Sequence, residues 1–149
     1  MLAELVSRTG KAMADTPITV FYDGHCGLCH GWVLFLIARD PTGEKFHFAP
    51  LQGEYCATAI SEAERRRLPD SVVVQTDEGK LLVKSAAIAY LLKRIGGPWS
   101  AIGATLGILP ASLRDFGYDC VARMRRRLFS TPENTCPLVP ANLRNRFRP

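Results

Sequence analysis

The period of the apolar positions changes several times along the chain, and each change predicts an element. "ITVFYDG" (residues 18–24) follows Pro17 as an unbroken run of β-branched and aromatic residues, which predicts a buried strand ending at a turn. Residues 26–39 predict a helix that stops at Asp40, because the residue before Pro41 is pushed out of the helical region. Leu28, Trp32, Val33, Leu34, Phe35, Leu36 and Ile37 make this helix apolar nearly all round, so it has to be covered on more than one side. Gly31 within it costs about 1 kcal/mol relative to alanine, which predicts a close backbone contact or a kink there. "KFHFAP" (residues 45–50) alternates as a second strand does, and "SEAERRRL" opens with the capping-box pair Ser61 and Glu64 of a short surface helix.

Two β-rich runs in "SVVVQTDEGKLLV" (residues 71–83), joined by "TDEGK", predict an antiparallel hairpin. "KSAAIAYLLKRIGGP" then predicts a helix with Ser85 as its N-cap, Ile88, Leu91, Leu92 and Ile95 on one face, and Gly96 and Pro98 as its stop. "WSAIGATLGILP" predicts a further helix. Beyond Pro110, the residues Phe116, Cys120, Val121, Met124 and Leu128 recur at helical spacing on one face of a long helix. These last two helices are positioned in the sequence to cover the open side of the first. Residues 1–16 show no clear period and read as an arm, and "STPENTCPLVP" (residues 130–140) reads as an extended, proline-rich tail segment.

Strand, helix, strand, helix, hairpin, helix is the element order of a thioredoxin-like fold. The expected architecture is therefore α/β, one domain over residues 17–149 with a central mixed sheet, flanking helices and a helical C-terminal extension from about residue 98. With 149 residues, 47% hydrophobic and 22% charged, the chain has the composition of an ordinary globular protein with one core. No run approaches the ~20 apolar residues of a membrane span. Charges are scattered through the first 17 residues, without the apolar block of a secretory signal, which predicts a cytoplasmic location and no membrane partner. Five cysteines, only one pair of them closely spaced, do not make a disulfide framework.

That pair, in "DGHCGLCHGW" (residues 23–32), lies where the first strand meets the first helix. A thiolate rather than a thiol attacks a disulfide, and the unpaired N–H groups and positive dipole end of a helix start stabilise a thiolate. Cys26 is accordingly read as the nucleophile and Cys29, one turn on, as the resolving thiol. A protonated His25 or His30 beside the sulfurs would lower their pKa further. Asp23 has two readings of equal weight: a general base for the resolving cysteine, or a cap for the turn and helix start. His47 reads as a strand histidine with a hydrogen-bonding role, and Cys56 and Cys120 as core fillers.

"VFYDGHCGLCHGWVLFLIARD" resembles the Asp-x-x-Cys-x-x-Cys signature of the DCC family of thiol–disulfide oxidoreductases. As in that family, an "FHFAPL"-like strand, the "DSVVVQTDEGK" hairpin, the "KSAAIAYLLKRIGG" helix and a closing "CPLVPANLRNRF" follow in order, so the similarity spans about residues 17–148. The resemblance implies a thioredoxin-like fold and a dithiol redox role. The motif itself calls for no cofactor, and the expected partners are a disulfide-containing protein or small thiol as substrate and a separate thiol as electron donor. Thioredoxins themselves carry a cis-proline facing the dithiol just before the hairpin. Pro69 lies near that register here and Ser71 nearer still, so both are candidates for lining a substrate site. Cys136, in the family-like tail segment, is a third redox partner, a lid over the dithiol, or an incidental thiol.

Two other classes compete. A zinc-binding structural or interaction module could use Cys26 and Cys29 with His25, His30 or Cys136, although no second Cys-x-x-Cys or Cys/His pair is present. The net charge of +5 gathers at the C-terminal end, where "RMRRRL" and "NLRNRFRP" hold seven of the 19 basic residues and could attract an anion. Arg123, Arg125, Arg126 and Arg127 fall on several helix faces without interleaved aromatics, and Asp115, Asp119 and Arg123 are spaced for i,i+4 pairs. A solvated face is expected there, not a nucleic-acid site.

Overall fold

A computed structural model describes residues 17–23, 27–69, 71–128 and 141–148; within the helices, the side chains of residues 27–30, 125–128 and 141 are outside the description. The chain runs β1 (Ile18–Tyr22), α1 (Gly27–Arg39), β2 (Phe46–Pro50), α2 (Glu54–Ala59), α3 (Glu62–Arg65), β3 (Val73–Gln75), β4 (Leu81–Val83), α4 (Lys84–Ile95), α5 (Gly97–Ile108), α6 (Ala111–Leu128) and a 3-10 turn (Ala141–Arg146). The predicted arm at residues 1–16 and the tail segment at 130–140, with Cys136, lie outside the described residues.

The four strands form a mixed sheet in the order β2-β1-β3-β4. β1 and β2 are parallel, joined through α1, while β3 is antiparallel to both β1 and β4. This is the thioredoxin-like arrangement expected from the element order. All five residues of β1 are buried because the strand is covered on both faces, which is why its sequence is a continuous apolar run. Ile18, Val20 and Tyr22 pack with Val33 and Leu36 of α1 and Leu91, Leu92 and Ile95 of α4. Phe21, on the opposite face, packs with Ala49, Cys56, Ile60 and Val73. Cys56 is thus a core residue as expected, and burial pushes its thiol up and away from the reactive form.

Several local expectations are corrected. Lys84, and not a residue after an N-cap Ser85, starts α4; the Ser85 hydroxyl instead donates to Asp115 across to α6. Asp119 likewise pairs with Lys84 at 3.1 Å, so the two aspartates tie α6 to α4 and do not make i,i+4 pairs along α6. Gly31 marks no close contact, for nothing among the described residues lies within 4 Å of where its Cβ would stand. Cys120 is half-buried, not a core filler. The Ser61–Glu64 capping box is present, but α3 is one turn long and is preceded by α2, which no periodicity announced.

Coverage of α1 is also only partial. Trp32 stacks on Phe35 at 4.9 Å, Phe35 meets Trp99 of α5 edge-on at 5.0 Å, and Arg39 lies over both Phe35 and Trp99. Leu34 remains half exposed, and a cleft of about 630 Å³ separates α1 from α6. On α6, Leu113, Phe116, Val121 and Met124 are all more than half exposed, so its apolar face is not spent on covering α1. Among the described residues no helix is long and apolar enough to cross a membrane.

The C-terminal residues return to the sheet. Phe147 bridges Phe48 beside β2, the Arg148 N–H donates to the Phe48 carbonyl at 2.8 Å, and the Phe147 ring sits 5.3 Å from Phe48 and 6.4 Å from Tyr22. Arg146 is buried against Asp40, and Arg148 lies over the ring of Tyr55. Two of the seven C-terminal basic residues are therefore held in structural contacts. Arg123 is exposed, and the side chains of Arg125, Arg126 and Arg127 are outside the description.

Candidate active site

The carboxyl ends of β1 and β2, the start of α1 and the approach to β3 converge. β1 is short enough to end at Tyr22, whose carbonyl accepts the Leu51 N–H at 2.9 Å and so closes the β1–β2 pair. Asp23 follows, half-buried, and its Oδ1 accepts a 3.2 Å hydrogen bond from the Gln52 amide, a residue that sequence reasoning missed. Gln52 could have been found only from the parallel register that sets Tyr22 against Pro50.

α1 begins at Gly27, so Cys29 occupies its first turn, where backbone N–H groups have no intrahelical partner. Gly24, His25 and Cys26 lie outside the described residues, as do the side chains of Cys29 and His30. Cys26 is the residue that precedes the helix in sequence. The first turn of α1 holds no acidic residue that would oppose a thiolate through the dipole end.

On the other side, β3 pairs with β1 so that Val73 faces Phe21 and Val74 faces Val20. Extending that register sets Ser71 level with Asp23. Ser71 is buried, its N–H donates to the Pro69 carbonyl at 2.8 Å, and Pro69 itself is half-buried. Val72 and the α1 residues Gly31 and Trp32 line one cleft, which brings the approach to β3 beside α1. Among the described residues no peptide bond is cis. The register thus gathers Asp23, Ser71 and the start of α1 at one end of the sheet, while Cys136 lies outside the description.

His47 stands on β2, three residues before the strand's end, and its Nδ1 lies 3.3 Å from the Arg148 guanidinium. Its pKa is lowered, first by burial and then by the positive charges of Arg148 and Arg146, against a smaller opposing effect of Asp40. The sign follows from linkage. Unfolded His47 binds a proton near pH 6.5 and the folded one only below that, so folding is favoured above pH 6.5 and weakened as pH falls through the lowered folded value. Urea midpoints measured between pH 7.5 and 5 should fall toward acid, and His47→Asn should flatten that slope. An unchanged slope in the variant would remove His47 as its source.

Among the described residues no three His, Cys, Asp or Glu side chains cluster as metal ligands do. A family model described as DCC1-like thiol-disulfide oxidoreductase matches residues 20–131. The uncharacterized protein YuxK of Bacillus subtilis (strain 168) is 33% identical over 134 residues, 87% of this chain and 93% of that protein. A chloroplastic DCC family protein of Arabidopsis thaliana is 30% identical over 118 residues, 79% of this chain and 67% of that protein. No solved structure matches the chain significantly.

Proposed function

Since the chain belongs to the DCC1-like thiol-disulfide oxidoreductase family, we propose that Cys26 and Cys29 are its redox-active dithiol and that it exchanges disulfides with a protein or small-thiol substrate in the cytoplasm. The observation that carries this reading is the position of Cys29 in the first turn of α1, the helix that follows a buried strand ending at Tyr22. Helix starts lower thiol pKa values, and two intervening residues put the second sulfur one turn from the first.

The Cys26 thiolate attacks one sulfur of the substrate disulfide and expels the other as a thiolate, which takes a proton from solvent. Cys29 then loses its proton, with Asp23 as acceptor, and attacks the Cys26 sulfur of the mixed disulfide. The second substrate thiolate leaves, and the protein keeps a Cys26–Cys29 disulfide. Two electrons have passed to substrate, and a separate thiol donor must return them. His25 and His30, when protonated, favour the thiolates. Ser71 and Pro69 flank the substrate, and the Gln52 amide holds the Asp23 carboxylate in place.

The test is to replace Cys29 with serine, incubate the variant with a small disulfide such as oxidised glutathione, and weigh the intact protein. The expected product is a stable adduct on Cys26, one substrate half heavier, that wild type does not accumulate. Wild-type and variant proteins that both stay unmodified, in material carrying stoichiometric zinc, would contradict it and support metal binding by the same cysteines.

A further inference from the structure

The cleft between α1 and α6 has the make-up of a ligand site. Trp32 and Phe35 of α1, Ile88 of α4, Leu106 of α5, and Leu113 and Val121 of α6 give it an almost wholly apolar wall, and its volume of about 630 Å³ is within the usual range of small-molecule sites. Its few polar groups divide into two kinds. Ser85 is engaged with Asp115, and the Tyr118 hydroxyl accepts the Val72 N–H at 3.4 Å. Among the described residues, Trp32 Nε1 and Arg114 Nε are instead buried donors with no hydrogen-bond partner.

Arg114 is also a charge without a counterion. One of its terminal nitrogens donates to the Leu106 carbonyl at 3.3 Å, and among the described residues no carboxylate forms an ion pair with it. The nearest acids along α6 are committed elsewhere, Asp115 to Ser85 and Asp119 to Lys84. Buried donors and unpaired charges cost free energy unless an acceptor arrives. The missing partner is thus an anion, and the wall asks for an alkyl chain.

We propose that this cleft binds a free medium-chain carboxylic acid, the chain lying against Trp32, Phe35, Leu106 and Val121 and the carboxylate accepting from the Arg114 guanidinium. The inference is independent of the redox reading, because neither Arg114 nor the apolar wall takes part in disulfide exchange. Gly31 and Trp32 follow Cys29 by two and three residues, so an occupant would lie beside the start of α1.

The experiment titrates the full chain with sodium decanoate, below its micelle concentration, and with decanol as the neutral analogue, read by tryptophan fluorescence and calorimetry. Decanoate should saturate one site, and decanol should bind about ten-fold more weakly or worse for want of the charge-assisted bond. Arg114→Gln should bring decanoate down to the decanol level. Gly117→Leu should abolish binding of both, since a Cβ there meets nothing within 4 Å and its side chain would fill the cleft, while the exchange of glycine for leucine favours the helix. Far-UV circular dichroism would verify that both variants are folded. Equal affinity for decanoate and decanol, indifference to Arg114→Gln, or attachment to anionic phospholipid vesicles with no affinity for monomeric decanoate would each overturn the proposal.

Discussion

Arg146→Ala should lower the stability of the chain by about 3–5 kcal/mol, the usual cost of removing one partner of a buried charge pair. Asp40 is 1% exposed and Arg146 is 4% exposed. The Asp40 carboxylate closes the turn after α1 by accepting from the Gly43 N–H at 3.2 Å and from the Lys45 and Phe46 N–H groups at 3.1 and 3.2 Å. Arg146 approaches that carboxylate at 3.9 Å and donates to the Asp40 carbonyl, and it packs so tightly on Gly43, at a φ of +76°, that no Cβ would fit there. Removing the guanidinium leaves a buried negative charge and frees the C-terminal segment that carries Phe147 onto Phe48 and Tyr22. Urea unfolding measures the loss. A double-mutant cycle with Asp40→Asn should recover part of it, because the uncompensated charge is then gone. A loss under 1 kcal/mol would mean that the pair is replaced by water at little cost.

Cys26→Ser should reduce turnover of a disulfide substrate by more than about a thousand-fold, since serine supplies no nucleophile at neutral pH comparable to a thiolate. Cys29→Ser should keep the first chemical step and lose the second, so a single burst of released thiol is followed by arrest. Asp23→Asn should slow resolution about a hundred-fold, within the range of general-base contributions, and leave the first burst intact. If Asp23 only caps the turn, the same variant would lower stability and leave the rate of resolution unchanged. Turnover by Cys26→Ser at the wild-type rate would exclude the two-thiol mechanism.

The parts of the molecule that rest on local pattern were legible in the sequence. β1 announced itself through five consecutive residues suited to burial on both faces, the β3–β4 turn through Gly79, which adopts φ +80°, and the end of α4 through Gly96, at φ +85°. The element order then implied the sheet, and the cysteines fell at its first strand-to-helix junction. What escaped depends on contacts between distant segments. α2, "EYCATA", is too short to show a period, and only Cys56 in it is fully buried. Asp115 and Asp119 sit at a spacing that serves equally well along one helix or between two, and packing of α6 on α4 decided for the second. Arg146 lay within a basic stretch, with nothing local to separate the one buried guanidinium from its exposed neighbours; its partner Asp40 is 106 residues away. Gln52 was hidden for the same reason, being 29 residues from Asp23.

Cys26 and Cys29 are expected to form a reversible disulfide. The direct measurement is the fraction of that disulfide, by alkylation and mass spectrometry, in metal-free protein equilibrated across a series of glutathione redox buffers. A single two-electron transition is expected, with a midpoint between roughly −120 and −300 mV, the span of dithiol oxidoreductases, and the midpoint then says whether substrate reduction or oxidation is favoured. Two thiols that stay reduced across the whole series would contradict it.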